Sequence, residues 1–320
     1  MEHQTSQKEI LFLDPVCKDN IWGGSRLKQE FHYPSAGEQT GECWGISAHP
    51  NGDGTVKNGT YAGMHLSRLW NEQPQLFGNP DAEQFPLLAK MIDAREDLSI
   101  QVHPDDDYAK RNENGANGKT ECWYIMDCIQ PASLIIGHNA KTRKELVQMI
   151  EQEQWNSLLR EVPIKKGDFI KIDPGTVHAI KGGCLIYETQ QNSDVTYRLY
   201  DYGRLSNGRP RELHLKQSID VIQVPAKEMT DCIFNADGLP KNQLNLLLDC
   251  PYFRVFKINT KKTARFEQAY PFLAVSVLEG SGSIDGKQIQ KGDHLILPSG
   301  YGTFCLEGEM SLMASTGQDQ

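Results

Sequence analysis

Apolar residues recur at helical spacing in two stretches of the chain. Across 142–160, Leu146, Ile150 and Leu158 fall near the 3.6-residue period among Lys, Glu and Gln, which predicts an amphipathic helix. Across 61–73, Ala62, Leu66, Leu69 and Trp70 do the same, and Pro74 stops the pattern. Residues 85–93 give a third, short helical candidate. Elsewhere the pattern is that of strands. Residues 98–103, 121–127, 133–136, 168–172, 184–189 and 195–200 are short and bounded by Gly, Pro, Asp or Asn. From Phe253 onward the chain reads as strands only, with turns expected at Glu279-Gly280 and Asp285-Gly286. So many short strands at close spacing predict a mainly β protein, a β-sandwich or jelly roll with a small helical insertion near 140–160.

The chain also repeats itself. The segment from Lys166-Gly167-Asp168 to Gly175-Thr176-Val177-His178 lies over that from Lys291-Gly292-Asp293 to Gly300-Tyr301-Gly302-Thr303. Each reads as a turn, four mostly apolar strand residues, and a Gly turn that reverses the chain. Two copies of one β-module are expected: 1–245, holding the chemistry and the helical insertion, and 246–320, a metal-free copy. His178 ends the first copy and Thr303 the second, so only the first offers an imidazole there.

Composition narrows the class. Thirty-three basic and 42 acidic residues give a net charge of −9, the wrong sign for non-specific nucleic-acid binding. The longest apolar runs fall far short of the roughly 20 residues of a membrane span, and the polar start lacks the apolar segment of a signal peptide. The eight cysteines are scattered with no Cys-x-x-Cys pair, which reads as reduced thiols of a cytoplasmic protein.

The turn that ends in His178 resembles the second conserved motif of the cupin jelly rolls, whose terminal His binds a metal. Upstream candidates for the rest of the set are Gln101 and His103, in Ser99-Ile100-Gln101-Val102-His103-Pro104, and Glu121, in Lys119-Thr120-Glu121. Gln101 and His103 are two apart, so on a strand both point to one face. Imidazole, carboxylate and amide oxygen all suit zinc. A lone His is more often a satisfied core residue. Three strand-placed candidates in one cupin-like pattern favour a metal.

The resemblance then becomes specific. Ile21-Trp22-Gly23-Gly24, residues 98–105, Gly118-Lys119-Thr120-Glu121-Cys122-Trp123-Tyr124, Pro174-Gly175-Thr176-Val177-His178-Ala179-Ile180, and Tyr187-Glu188 through Asp194 to Arg198 together resemble the class I mannose-6-phosphate isomerases, in their shorter bacterial branch. The match covers most of the chain in order. It implies a zinc-dependent aldose–ketose isomerase of the cupin superfamily, acting on a phosphorylated hexose. One Zn2+ per chain would be held by His103, Glu121 and His178, with Gln101 as a fourth ligand in many members. Arg198 would be the catalytic arginine, Lys119 and Glu188 would line the site, and Asp194 matches a site aspartate. Two departures stand out. Larger members carry His-Lys-Pro-Glu where this chain has Gly118-Lys119-Thr120-Glu121, and Leu199-Tyr200 replaces an Ala-Gly after the arginine.

These residue types fit the reaction independently. Moving a carbonyl between C1 and C2 passes a proton through an enediolate, whose negative oxygens call for a metal ion and a guanidinium. Glu188 raised by burial, Lys119 lowered by neighbouring charge, and a zinc-bound hydroxide are three options for the proton carrier. Ser99 is a candidate phosphate donor, against a buried hydroxyl bonded to backbone. Arg204, Arg209 and Arg211 are balanced between a phosphate clamp and a solvated loop. Asp105-Asp106-Asp107 reads as a helix N-cap, and His49, His138, Trp22, Trp44 and Trp123 as structural. A metal-cupin oxygenase would want a different metal set, and a non-catalytic sugar-binding cupin would not need Lys119, Glu188 and Arg198 together. The oligomeric state is not legible.

Overall fold

In the strand Thr263–Gln268 every second residue is buried, the period-2 pattern of a sheet with one face on a core. The computed structural model, which describes residues 9–228 and 232–318, is mainly β, with short helices between its strands. It divides into two compact units. One holds the described residues up to Val16, Trp44–Ala89 and the chain from Gly238 onward; the other holds Cys17–Cys43 and Lys90–Asp237.

The first unit is a nine-stranded sheet. Its main path runs through Asn245–Asp249, Phe253–Thr260, Gly302–Gly317, Leu273–Ile284, His294–Leu297, Leu11–Asp14 and Thr55–Val56, all antiparallel where registered. Its core takes Phe256, Phe266, Val275, Leu295 and Phe304. Among the described residues from Asn245 to Gly317 there is no helix. Asp285 and Gly286, at φ 47° and 77°, make the expected hairpin turn. Glu279-Gly280 is not a turn. The strand Leu273–Ile284 runs through it with a register shift between Val277 and Glu279 and Gly280 at φ 80°, so the glycine serves a bulge.

The second unit is a sandwich. A sheet ordered Ile233–Asn235, Asp168–Ile172, Glu121–Cys128, Cys184–Gln191, Leu87–Ala94, Val16–Gly24 and Thr40–Ile46 faces one ordered Tyr197–Tyr200, Ile100–Val102, His178–Ala179, Ala132–His138 and Leu159–Ile164. Ile125, Ile170 and Ile186 of the larger sheet pack against Leu134, Ile136 and Ile164 of the smaller one. Ile100, Val102, Val177, Ala179 and Leu199 point the other way, into a second core with Leu146, Ile150 and Leu158. The helical insertion therefore caps the outer face of the smaller sheet.

The expected helix over 142–160 is two helices, Arg143–Glu151 and Trp155–Leu158, with Thr142 capping the first by accepting the amide of Glu145. Residues 61–73 hold the shorter helix Leu66–Glu72. The third candidate, 85–93, is overturned: it is the strand Leu87–Ala94, buried at every position. A short apolar run covered on both faces has no period to tell strand from helix.

The repeated segments share their turns. Gly167 and Gly292 both take positive φ, at 87° and 94°, as do Gly175 and Gly300, at 81° and 59°. Their ends differ: His178 is buried, whereas Thr303 is exposed and donates to Glu267. The repeat keeps a buried imidazole of its own at His294, whose Nδ1 lies 2.8 Å from Ser276 Oγ and whose ring leaves no space for a Cβ at Gly45.

Burial, and then the Lys57 charge, hold the His294 pKa down at about 3. The folded imidazole is neutral where the unfolded one takes a proton, near pH 6.5. Its contribution is complete above that pH and is lost as pH falls toward 3, at up to about 1.4 kcal/mol per pH unit. Urea unfolding at pH 7 and pH 5 should show His294→Gln losing about 2 kcal/mol less than wild type over that interval; equal losses would exclude this site.

Candidate metal centre

One end of the inner face of the sandwich is not apolar. Trp123, Ile125, Ile186 and Ile92 form its core, and the alternation that buries them also turns Glu121, Glu188 and Lys90 inward, from the same three strands. From the smaller sheet, Gln101 stands opposite His178 as a register partner, and His103 follows two residues after Gln101. His103, Glu121 and His178 are all buried, and one ligand atom from each lies within 4.8 Å of the others.

The hydrogen bonds decide which atoms face inward. His103 Nδ1 lies 2.9 Å from the carbonyl of Val195, and His178 Nδ1 2.9 Å from that of Thr176. Each carbonyl takes the ring proton, so both Nε2 atoms present lone pairs to the centre. Glu121 Oε1 is 3.2 Å from His178 Nε2 and has no hydrogen-bond partner; Glu121 Oε2 is 3.4 Å from His103 Nε2. Gln101 Nε2 donates to His178 Nε2 at 3.2 Å. Buried acceptors aimed at one another repel unless a cation lies among them. Lys119 supplies one, donating to His103 Nε2 at 3.1 Å and to Glu121 Oε2. Two neutral imidazoles and a carboxylate are a donor set suited to zinc.

Burial, then the Lys119 charge, lowers the His103 pKa to about 3, and burial lowers that of His178. Burial works against ionising Glu121, yet Lys119, His103 and His178 hold its pKa well below the usual range. All three groups are thus in the deprotonated form a metal requires. Glu188 goes the other way: burial, and then Glu121, raises its pKa. Its Oε1 lies 3.3 Å from Lys119 Nζ and 3.5 Å from Lys90 Nζ, and its Oε2 accepts from the Trp123 indole at 3.2 Å.

A close approach of backbone fixes the segment that carries Lys119 and Glu121. The amide of Gly118 donates to Asp106 Oδ1 at 2.7 Å and that of Lys119 to the Pro104 carbonyl at 3.0 Å. A Cβ on Gly118 would sit 2.5 Å from backbone atoms of Asp105 and Asp106, so this chain has no room for a side chain there. Asp105 itself caps the helix Asp106–Asn112 by accepting the amide of Tyr108.

The other sequence candidates lie apart from these contacts. Arg198 pairs with Gln101 across the sheet, yet its Nη1 donates to the Glu212 carbonyl at 2.9 Å and its amide to His214 Nδ1 at 3.1 Å. Its Nε is buried without a partner. Arg204 and Arg211 are bonded to Asp201, and Arg209 is exposed. Ser99 is buried, and Asp194 is exposed. Sequence reasoning missed Lys90 and Glu42, whose Nζ and Oε2 lie 3.5 Å apart. A lysine in the middle of the apolar run Leu87–Ala94 was the available signal, since a buried charge demands a partner.

The comparisons with known proteins agree with this geometry. Residues 10–126 match the profile of the phosphomannose isomerase type I catalytic domain, and residues 242–316 that of the mannose-6-phosphate isomerase cupin domain. The mannose-6-phosphate isomerase ManA of Bacillus subtilis is 49% identical over 312 residues, covering 96% of this chain and 98% of that protein. The crystal structure of the mannose 6-phosphate isomerase from Bacillus subtilis aligns with a TM-score of 0.89 at 45% identity, over 96% of this chain and 99% of that one. A zinc-bound mannose 6-phosphate isomerase shares the fold at a TM-score of 0.76 and 15% identity, over 97% and 100% of the two chains. The buried acceptor triad on a cupin sandwich and nearly full-length similarity to these proteins lead to one assignment: the chain belongs to the type I phosphomannose isomerases.

Proposed function

We propose that this chain is a zinc-dependent isomerase that interconverts mannose 6-phosphate and fructose 6-phosphate. The observation that carries this reading is the triad of buried, deprotonated acceptors beside the Lys119–Glu188 pair. One zinc per chain would be held by His103, Glu121 and His178, with Gln101 beside them. When bound, the metal supplies positive charge that polarises the sugar carbonyl and stabilises negative oxygen.

The chain's own residues do the rest. Lys119 and Glu188 stand 3.3 Å apart, and burial, then the Glu121 charge, raises the Glu188 pKa above its ordinary value. Together they carry the proton between C1 and C2 of the substrate, Glu188 as carboxylate or carboxylic acid and Lys119 as its charged neighbour. Arg198 offers its unspent Nε–H to the developing enediolate oxygen. Ser99 and Asp194 complete the substrate contacts. Within residues 1–245 we place the chemistry in the second unit, Cys17–Cys43 and Lys90–Asp237, and we read residues 246–320 as a metal-free module whose sheet also takes Leu11–Asp14 and Thr55–Val56. We place the reaction in the cytoplasm, in keeping with eight scattered cysteines and no Cys-x-x-Cys pair.

Chelation should remove activity on mannose 6-phosphate, and added zinc should restore it. Glu121→Gln should lose bound zinc and activity together. Elemental analysis beside the assay checks both, and full activity in a zinc-free Glu121→Gln protein would refute the metal assignment.

Arg198→Ala separates transition-state stabilisation from phosphate anchoring. Loss of a donor used only in the transition state should lower kcat roughly 10²–10³-fold with zinc content unchanged. A near-normal kcat with a raised KM would make Arg198 a binding residue.

A further inference from the structure

Eight cysteines are scattered through the sequence, and the fold brings two of them, neither a metal-ligand candidate, into contact. Cys17 lies on the strand Val16–Gly24 and Cys43 on its sheet neighbour Thr40–Ile46. Their sulfurs are 3.4 Å apart, within S–H···S hydrogen-bond distance, and both are thiols. Their environments differ. Cys17 is half-buried and Cys43 fully buried. We propose that Cys17 and Cys43 form a peroxide-oxidisable dithiol, with Cys17 as the attacking thiol and Cys43 as the resolving one, and that their disulfide ties these two strands together beside Glu42.

The electrostatics divide the roles in the same way. The hydrogen bond from Cys43 brings the Cys17 pKa down to about 7; burial opposes this, Ser35 adds a second hydrogen bond, and Asp19 opposes it. Burial, and then the contact with Cys17, push the Cys43 thiol well up, so Cys43 keeps its proton and is the donor between the two sulfurs once Cys17 is a thiolate. The chemistry then runs in two steps. The Cys17 thiolate attacks one oxygen of a hydroperoxide, the O–O bond breaks, and the leaving alkoxide or hydroxide takes a proton to become an alcohol or water. The Cys43 sulfur attacks the resulting sulfenic sulfur, the S–O bond breaks, and the hydroxyl leaves as water with the Cys43 proton. Two thiols and one peroxide thus yield one disulfide, one alcohol or water, and a further water.

A second facing pair supplies an internal contrast. Cys128 and Cys184 are register partners on neighbouring strands. Burial raises the Cys128 pKa and pushes that of Cys184 up to about 12, so neither is an attacking thiolate at neutral pH. Strand register alone does not set the two pairs apart; the 3.4 Å sulfur contact and thiolate chemistry select the first.

The test uses the full chain loaded with zinc. One equivalent of hydrogen peroxide is added at pH 7.5, remaining thiols are alkylated under denaturing conditions, and the digest is mapped by mass spectrometry. The proposal expects loss of two of the eight thiols, a linked Cys17–Cys43 peptide, and recovery of all eight on adding dithiothreitol. Cys17→Ser should prevent any oxidation at Cys43. Cys43→Ser should trap sulfenic acid on Cys17, detected with a dimedone probe. Oxidation that favours Cys128–Cys184, or that leaves Cys17 and Cys43 alkylated, would overturn it. None of these readouts depends on the isomerase reading.

Discussion

The structure of the second unit turns on one electrostatic fact: three buried acceptors face one another, none carrying a proton on the atom it turns inward. Glu121 Oε1 and His178 Nε2 approach to 3.2 Å, and Glu121 Oε2 and His103 Nε2 to 3.4 Å. A positive charge is the only group that turns this arrangement from repulsive to favourable. The surrounding fold serves to keep it. Carbonyls of Val195 and Thr176 hold the two imidazoles in the tautomer that leaves Nε2 bare. Apolar side chains behind them, from Trp123 to Ile136, exclude the water that would otherwise hydrate the carboxylate.

Sheet periodicity connects this centre to the rest of the molecule. The inner-face row that supplies Ile125 and Trp123 also supplies Glu121, and the opposite face of the strand that carries Gln101 packs on the helical insertion. A slip of one residue would move both rows together, so the hydrophobic core protects the register of the polar site. The repeated module shows the same frame with other contents. Its turns match those of the first copy at Gly292 and Gly300, but its terminal Thr303 faces solvent. The buried imidazole it does hold, His294, is occupied by Ser276.

Much of this was legible in the chain. Gln101 and His103 share a face by spacing alone, and the Pro-Gly turn that delivers His178 is visible as a repeat. The strand Leu87–Ala94 was not, because a run buried on both faces carries no period, and Lys90 was lost with it. Its partners Glu42 and Glu188 come from distant segments, and no local pattern joins them. The orientation of Arg198 was equally hidden. Pairing with Gln101 is fixed by the sheet, but the path of a long side chain is set by the loop that supplies the Glu212 carbonyl and His214. The glycine at 118 became intelligible only when the backbone of Asp105 and Asp106 was seen against it.

The central claim is that these buried nitrogens and oxygens form a zinc site without help from any cysteine. X-ray absorption at the zinc edge of the zinc-loaded protein tests it most directly. The account predicts a first shell of nitrogen and oxygen only, at roughly 2.0–2.2 Å, with the outer-shell pattern of two imidazoles. A sulfur scatterer near about 2.3 Å, or the absence of imidazole scattering, would contradict it.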